Sequence, residues 1–187
     1  MITVLDMEWT SWEGAWARGW SGPGEFREIV QIGLVRFADT PVLEELESFQ
    51  VFVKPILNPT LSRYFMDLTG ISQDDVDRHG TSLADALTAM TEFLADDQCP
   101  ILSHGLDGKY LRENCEKIDI AFGFEDDRFV DIRADVQHFL GHTGSGLTSS
   151  DLPARMGFPA PGTAHDAVAD CRCIGGALRI MRGAGAF

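Results

Sequence analysis

The chain has 187 residues, of which 44% are hydrophobic and 24% charged, and its net charge is −14. The length and composition predict one globular domain over residues 1–187, and no apolar run is long enough to span a bilayer. The acidic balance argues against a long electrostatic footprint on duplex nucleic acid, but it leaves a short single-stranded ligand open.

The start of the chain and its cysteines bear on location. Strand-like sequence begins at Ile2 without a charged and apolar leader, so a cytoplasmic location is expected. The four cysteines, at positions 99, 115, 171 and 173, form no C-x-x-C pair. This favours free, buried thiols in a reducing compartment over a zinc site.

Apolar periodicity predicts three strands, followed by helices that alternate with two further strands. The predicted strands cover 2–8, 28–37, 48–54, 100–103 and 129–132. The predicted helices cover 62–68, 83–97, 107–117, a segment ending near 140, 150–156 and 164–182. A long connection is expected at 9–27 and a loop at 141–146. This order gives an α/β fold with a mixed sheet.

Two carboxylates, Asp6 and Glu8, end the first predicted strand, after Ile2, Val4 and Leu5. Since residues i and i+2 of a strand point to the same face, the two side chains are expected to project together. Like charges at this spacing repel unless a cation lies between them, and carboxylate oxygens suit Mg²⁺ or Mn²⁺. The pattern predicts a metal site if later segments supply more carboxylates.

Later segments offer candidate partners, each with a plainer explanation. Asp107 follows the strand at 100–103, where an acidic residue also caps the free N–H groups of a helix. His165 and Asp170 open the last helix, where Asp166 is a candidate N-cap on the same face as Asp170. Taken alone, Asp107 fits both roles about equally, and the last pair fits capping and a solvated face better.

Together these residues resemble the three motifs of the DEDDh 3′–5′ exonuclease superfamily. The motifs are D-x-E on the first strand, an Asp after a middle strand, and H-x4-D at the last helix. The matching residues are Asp6, Glu8, Asp107, His165 and Asp170. The segments EIVQIGLV (28–35) and LSRYFMDLTGISQDDVD (61–77) are similar to the second strand and the substrate-pocket segment of that superfamily.

Two flanking segments narrow the resemblance. DMEWTSWEG (6–14) and DGKYLRENC (107–115) resemble most the branch that contains the histone-mRNA 3′ exonuclease and KapD-like bacterial proteins. One departure lies before the second motif, where Leu106 alone separates Gly105 from Asp107 and the family has one residue more. Since Leu111 and Cys115 keep the family spacing, a deletion in the loop with Asp107 as the acidic residue explains the difference.

The resemblance implies a ribonuclease H-like fold, a mixed five-stranded sheet with helices on both faces, and a two-metal phosphodiesterase. It implies two Mg²⁺ or Mn²⁺ ions, with Asp6 bridging both, Glu8 and Asp170 completing one site, and Asp107 holding the second through water. His165 is the implied general base, since an unperturbed histidine titrates near ~6.5. The implied products are nucleoside 5′-monophosphates.

Substrate contacts follow from the same resemblance. Leu68 matches the position that lines the terminal base, with Phe65 nearby, although core packing is the better interpretation of Phe65. The backbone after Glu8 meets the terminal 3′-hydroxyl in the family, which makes Met7 and Trp9 candidates. Base-on-aromatic contact is worth ~1–3 kcal/mol per base and tolerates any sequence.

The connection at 9–27 carries tryptophans at 9, 12, 16 and 20, at near-helical spacing, with several glycines. Such a stripe is typical of a packed face rather than a ligand platform. The glycines instead favour a mobile connection beside the metal site. We hypothesise that this segment closes over the end of the first strand.

The leading hypothesis is a metal-dependent 3′–5′ exonuclease acting on the 3′ ends of single-stranded RNA or DNA, with RNA favoured by the branch. A proofreading or repair exonuclease for DNA is the first alternative. A non-catalytic nucleic-acid-binding module on the same fold is an alternative of another class. A hydrolase of small phosphoesters is disfavoured by the pocket segment. No membrane partner is expected, and the sequence does not reveal whether there is a protein partner.

Overall fold

A computed structural model of the chain describes residues 1–94, 99–144 and 146–187. Its centre is one five-stranded sheet in the order β3-β2-β1-β4-β5. The strands are β1 (Ile2–Trp9), β2 (Ile29–Phe37), β3 (Glu45–Phe52), β4 (Ile101–Ser103) and β5 (Phe129–Asp131). β1, β2 and β3 pair antiparallel, whereas β4 runs parallel to both β1 and β5. The sheet is therefore mixed.

Seven α-helices lie within the described residues. They are α1 (Arg63–Thr69), α2 (Gln73–His79), α3 (Leu83–Leu94), α4 (Asp107–Lys117), α5 (Arg133–Leu140), α6 (Leu152–Met156) and α7 (Ala167–Gly183). Short 3₁₀ turns at 126–128 and 149–151 precede β5 and α6. Among these described helices, none combines the length and the apolar character needed to cross a membrane.

Helices cover both faces of the sheet, as the alternation of apolar residues along β1 requires. Ile2 and Val4 belong to a buried cluster that includes residues of α5, α6 and α7. Leu5 and Met7 point the other way, into a second cluster with residues of α3 and α4. The predicted α/β class, with a mixed five-stranded sheet between two helical layers, is confirmed.

Several predicted boundaries differ from the structure. A second helix, α2, follows α1, and its capping box between Ser72 and Asp75 was a signal that the sequence interpretation missed. β3 begins at Glu45 rather than 48, on a largely exposed edge where the apolar pattern is weak. The predicted helix at 83–97 is α3 as far as Leu94, and positions 95–97 lie outside the described residues. The predicted loop at 141–146 likewise includes one undescribed position, 145.

The long helix α7 packs closely on the middle of the sheet. A Cβ at Gly33 of β2 would lie 2.6 Å from the carbonyl carbon of Ala167 and 2.7 Å from the backbone nitrogen of Val168. The Cys171 thiol donates to the carbonyl oxygens of Val4 and Gly33. Because Gly33 pairs with Asp6 in the sheet, this contact fixes the start of α7 beside the end of β1.

Candidate active site

Asp6 and Glu8 continue the stripe that Ile2 and Val4 begin on β1. These four residues alternate along the strand, so the two carboxylates face the layer that contains α7. Glu8 is 9% exposed, and the carboxylate of Asp6 accepts a hydrogen bond of 3.1 Å from the Ser149 hydroxyl. The apolar core therefore gives way to paired carboxylates at the position where α7 begins.

The start of α7 brings the other predicted residues to this point. The Asp166 side chain accepts from the Ala169 N–H at 2.9 Å, which confirms the N-cap prediction and explains why the helix begins at Ala167 rather than at 164. His165, just before the cap, has a φ of 60°, a left-handed conformation that costs free energy in a residue other than glycine. Asp170 then lies in the first turn of α7 and is buried.

Three of the predicted residues converge tightly. Ligand atoms of Glu8, His165 and Asp170 all lie within 4.8 Å of one another. Oδ1 of Asp170 is buried and accepts no hydrogen bond from the residues that the structure describes. A buried carboxylate oxygen without a donor loses its hydration without compensation, so this position favours a cation.

Asp107 joins the same cavity from the opposite side of β1. It is the first residue of α4, directly after the β4 edge, and it is 5% exposed. The N-cap position is Leu106, which makes no side-chain capping bond. The shortened loop before Asp107 thus still delivers its carboxylate to the cavity that contains Asp6 and Glu8.

These four residues, Asp6, Glu8, Asp107 and Asp170, are called the carboxylate cluster below. Burial raises the pKa of each one, and repulsion from neighbouring carboxylates adds to the effect. The pKa values of Asp107 and Asp170 rise to about 7, and those of Asp6 and Glu8 rise well above their usual range. The cluster is therefore costly to ionise fully unless positive charge enters it.

His165 is affected in the opposite direction. Burial lowers the pKa of its imidazole, and the nearby Asp151 carboxylate opposes that shift only in part. A histidine with a lowered pKa is neutral at pH 7, and a neutral imidazole can accept a proton. The geometry thus places a proton acceptor within a few ångströms of buried carboxylates.

A cavity of about 520 Å³ encloses the cluster. Leu68 and Trp9 line it, together with Tyr64 of α1, and Met7 contributes while its side chain packs in the core. Phe65 does not have the substrate-facing position that was one of its two interpretations. It is 1% exposed and packs with Val30 and Leu61, because it lies on the inner face of α1.

Several cavity residues were not predicted from the sequence. Ser149 comes from the 3₁₀ turn before α6, and Arg133, Tyr110 and Thr148 also line the cavity. His104 lies just after β4 and is 8% exposed, and among the described residues neither of its ring nitrogens has a hydrogen-bond partner. Its position directly after a buried strand, at the edge where Asp107 follows, was the signal that could have identified it.

The fold and this arrangement of acidic residues define a class of protein. The chain matches the exonuclease family (RNase_T) over residues 3–178. This match covers most of the sequence, so the chain belongs to that family. The predicted superfamily and the predicted class, a nuclease, are confirmed.

Two curated relatives are similar over most of the chain. The 3′-5′ exoribonuclease 1 of Rattus norvegicus is 26% identical over 182 residues, which are 92% of this chain and 50% of that protein. The probable 3′-5′ exonuclease KapD of Bacillus subtilis (strain 168) is 28% identical over 171 residues, covering 90% of this chain and 78% of that protein. The chain thus spans about half the length of the exoribonuclease.

Solved structures share the fold. The nuclease domain of 3′hExo, described as a DEDDh family member bound to rAMP, superposes with a TM-score of 0.82 at 23% identity. The match covers 99% of this chain and 92% of that chain. A 3′-exonuclease described as recognising the histone mRNA stem-loop gives a TM-score of 0.84 at 22% identity, covering 99% and 64%. The predicted branch, with its ribonuclease H-like fold, is confirmed.

Proposed function

We propose that residues 1–187 form a single exonuclease domain that removes nucleoside 5′-monophosphates from the 3′ ends of single-stranded RNA. One observation carries the proposal. Side chains that are far apart in the sequence, on β1, α4 and α7, meet as a buried carboxylate cluster with His165 beside it. Family membership and relatives named as 3′-5′ exoribonucleases support the direction and the sugar.

The donor set fits divalent cations. Hard carboxylate oxygens with one adjacent imidazole suit Mg²⁺ or Mn²⁺, and the unpartnered oxygen of Asp170 and the raised pKa values call for positive charge. Two ions are proposed, held by Asp6, Glu8, Asp107 and Asp170. When bound, such ions lower the pKa of an attacking water and stabilise charge on the phosphate oxygens.

Residues of the chain itself orient the scissile phosphate and deprotonate the attacking water. Asp6 and Glu8 come from β1, Asp107 from the start of α4 and Asp170 from the first turn of α7, so carboxylates from three elements line the cavity in which the scissile phosphate is held. The neutral His165 imidazole accepts the proton of the attacking water. The Ser149 hydroxyl fixes the orientation of the Asp6 carboxylate through its 3.1 Å hydrogen bond. Most of the rate gain then comes from positioning and electrostatics.

The terminal nucleotide is bound by the apolar end of the cavity. Leu68 is 38% exposed on α1 and lines the cavity together with Tyr64, so the two offer a surface to the terminal base. Backbone groups of Met7 and Trp9 lie beside Glu8, where they meet the terminal 3′-hydroxyl. An internal nucleotide carries a further phosphate at that position, and this preference for a free end makes the enzyme an exonuclease.

The proposal is tested by a time course on RNA and DNA 20-mers labelled at either end, with Mg²⁺, Mn²⁺ or chelator. Wild type is expected to shorten RNA stepwise from the 3′ end and to stop in chelator. Asp6→Asn is expected to be inactive, while Asp135→Asn, an exposed carboxylate on α5, is a matched control that keeps full activity. Faster cleavage of DNA would favour the repair alternative, and an inert wild type that still binds would favour the binding module.

A further inference from the structure

Four tryptophans, one at the end of β1 and three from the connection that follows it, line the cavity. Trp9, Trp12, Trp16 and Trp20, called the tryptophan wall below, all line it together with the carboxylate cluster. Trp16 is 61% exposed, whereas the other three are half-buried. A side chain that lines a cavity and is also mostly exposed lies at its mouth. Trp16 is therefore the ring of the tryptophan wall that is most accessible to a ligand entering the cavity.

The tryptophan wall is held in place by its own contacts. The Trp20 indole N–H donates to the Thr10 carbonyl oxygen at 2.9 Å. Trp16 meets Trp20 edge-to-face with ring centroids 5.9 Å apart, and Trp9 meets Trp20 at 6.5 Å. The Arg27 guanidinium covers the Trp20 ring at 4.6 Å. The rings are thus positioned before any ligand binds, which lowers the entropic cost of stacking on them.

The charge distribution limits what phosphate contacts can contribute. At least eight of the twelve arginines form ion pairs with neighbouring carboxylates within the described residues. Arg27 is engaged by aromatic rings, and Lys109 pairs with Glu113. With a net charge of −14, the protein as a whole repels a polyanion at long range. Affinity for a strand must therefore come largely from its bases.

These observations point to a second base subsite. We propose that Trp16, backed by Trp20, stacks on the base of the nucleotide next to the 3′-terminal one, and that this contact captures the strand. The inference rests on the proposed function, in which Leu68 takes the terminal base. The tryptophan wall lines the same cavity as Leu68, and Trp16 is its most exposed ring, so Trp16 is the ring assigned to the following base. Stacking of this kind accepts any base.

A pair of substrates and a pair of variants test the contact directly. Binding is measured for an RNA pentamer whose last linkage resists hydrolysis, and for the same pentamer with an abasic second position. Removing that base is expected to weaken wild-type binding roughly 5- to 100-fold. In Trp16→Ala the ratio between the two substrates should fall to about one, while Trp16→Phe keeps most of it. Leu46→Ala, which removes an exposed apolar side chain from β3, is the control and keeps the full ratio.

Two results would overturn the subsite. One is a wild-type ratio near one at the second position with a large ratio at the third. The other is an unchanged ratio in Trp16→Ala. Because the assay reads binding, it separates this inference from the catalytic proposal: a wild type that shows the Trp16-dependent ratio but cleaves nothing keeps the subsite and rejects the exonuclease.

Salt dependence gives an independent readout. Capture by stacking predicts that the logarithm of the association constant falls with the logarithm of KCl concentration with a slope no steeper than about −2, since each phosphate contact adds roughly −0.7 on a single strand. A slope steeper than about −3 would show that phosphate contacts dominate and would overturn the stacking mechanism. Circular dichroism of each variant confirms that the fold is retained.

Discussion

The carboxylate cluster and the tryptophan wall line the same cavity but differ in how their polar groups are stabilised. The carboxylate cluster is built from strands and helix starts, and its members repel one another while burial opposes their ionisation. The tryptophan wall comes from the end of β1 and the irregular connection after it; its rings pack edge-to-face, and the Trp20 indole N–H donates to the Thr10 carbonyl oxygen. The carboxylate cluster needs added positive charge to offset its repulsion, whereas the tryptophan wall is stabilised by its own contacts.

This difference assigns different tasks to the two sides. A cluster of mutually repelling carboxylates binds cations strongly, and bound cations can assist hydrolysis. Aromatic rings whose polar groups already have hydrogen-bond partners leave their apolar faces available to bind the bases of a strand. In the proposed mechanism, residues for catalysis and residues for affinity thus line the same cavity of about 520 Å³. Variants on the two sides should differ in their dependence on metal, and the following predictions use that contrast.

Loss of the imidazole is expected to have the largest effect. His165→Ala should lower kcat roughly 10²- to 10⁴-fold, because the attacking water loses its proton acceptor. Since burial lowers the pKa of His165, the acidic limb of the wild-type pH profile should have its midpoint below the usual value of ~6.5, with activity rising as the proton leaves. Steady-state rates from pH 4.5 to 8 check both points. A rate for His165→Ala within threefold of wild type would remove the base from the account.

A methyl group added at Gly33, where β2 contacts α7, should disturb the carboxylate cluster without touching it. In Gly33→Ala the new Cβ would lie 2.6 Å from backbone of Ala167, so α7 must shift, at a cost of roughly 1–3 kcal/mol. Activity should fall together with stability because Asp170 moves with the helix. Denaturant unfolding and Mn²⁺ titration measure the two effects.

Gly183→Ala is the matched control for that change. It adds the same methyl group at the other end of α7, where no atom lies within 4 Å of the new Cβ. We expect unchanged activity and unchanged or slightly higher stability. If both variants behaved alike, the close approach at Gly33 would not position the site.

The smallest expected effect lies on the tryptophan wall. Trp20→Phe removes the indole N–H that donates to Thr10, which should cost ~1 kcal/mol of the free energy of unfolding. This loss should be the same in chelator and in Mg²⁺, since the wall shares no ligand with the cluster. Thermal unfolding under both conditions checks it. A loss that depends on metal would mean that the two sides are coupled.

The sequence predicted the chemical side of the cavity well because its signals are local. Asp6 and Glu8 share a strand face by the two-residue period, and Asp166 caps α7 as its residue type suggests. Only the resemblance to a known family predicted that Asp107 belongs with these residues, because no local pattern in the sequence indicates that contact. The left-handed backbone of His165 left no signal, and the predicted helix therefore began three residues too early.

The sequence predicted the other side poorly because tertiary contacts decide it. Near-helical spacing of the tryptophans suggested a packed stripe, yet the described segment folds as consecutive turns in which the rings pack on each other and also line the cavity. Ser149 reaches Asp6 across 143 positions, and His104 enters the cavity through a loop. Such placements depend on the whole fold rather than on any window of sequence.

If the carboxylate cluster binds divalent cations, the stability of the protein should depend on both pH and metal. Thermal unfolding measured across a range of pH, with chelator or with Mn²⁺, shows whether it does. The folded-state pKa values of Asp107 and Asp170 are raised to about 7, so the metal-free fold binds more protons than the unfolded chain between about pH 4 and 7. Its stability should therefore fall as the pH rises through that window.

Mn²⁺ should reverse this loss, because deprotonated carboxylates bind it and affinity grows with pH. We expect a Mn²⁺-induced rise in Tm that is small at pH 5 and several degrees larger at pH 8, and that is abolished in Asp170→Asn. A Mn²⁺ effect that is absent at pH 8, or equal in wild type and Asp170→Asn, would contradict the claim that these residues form a metal site.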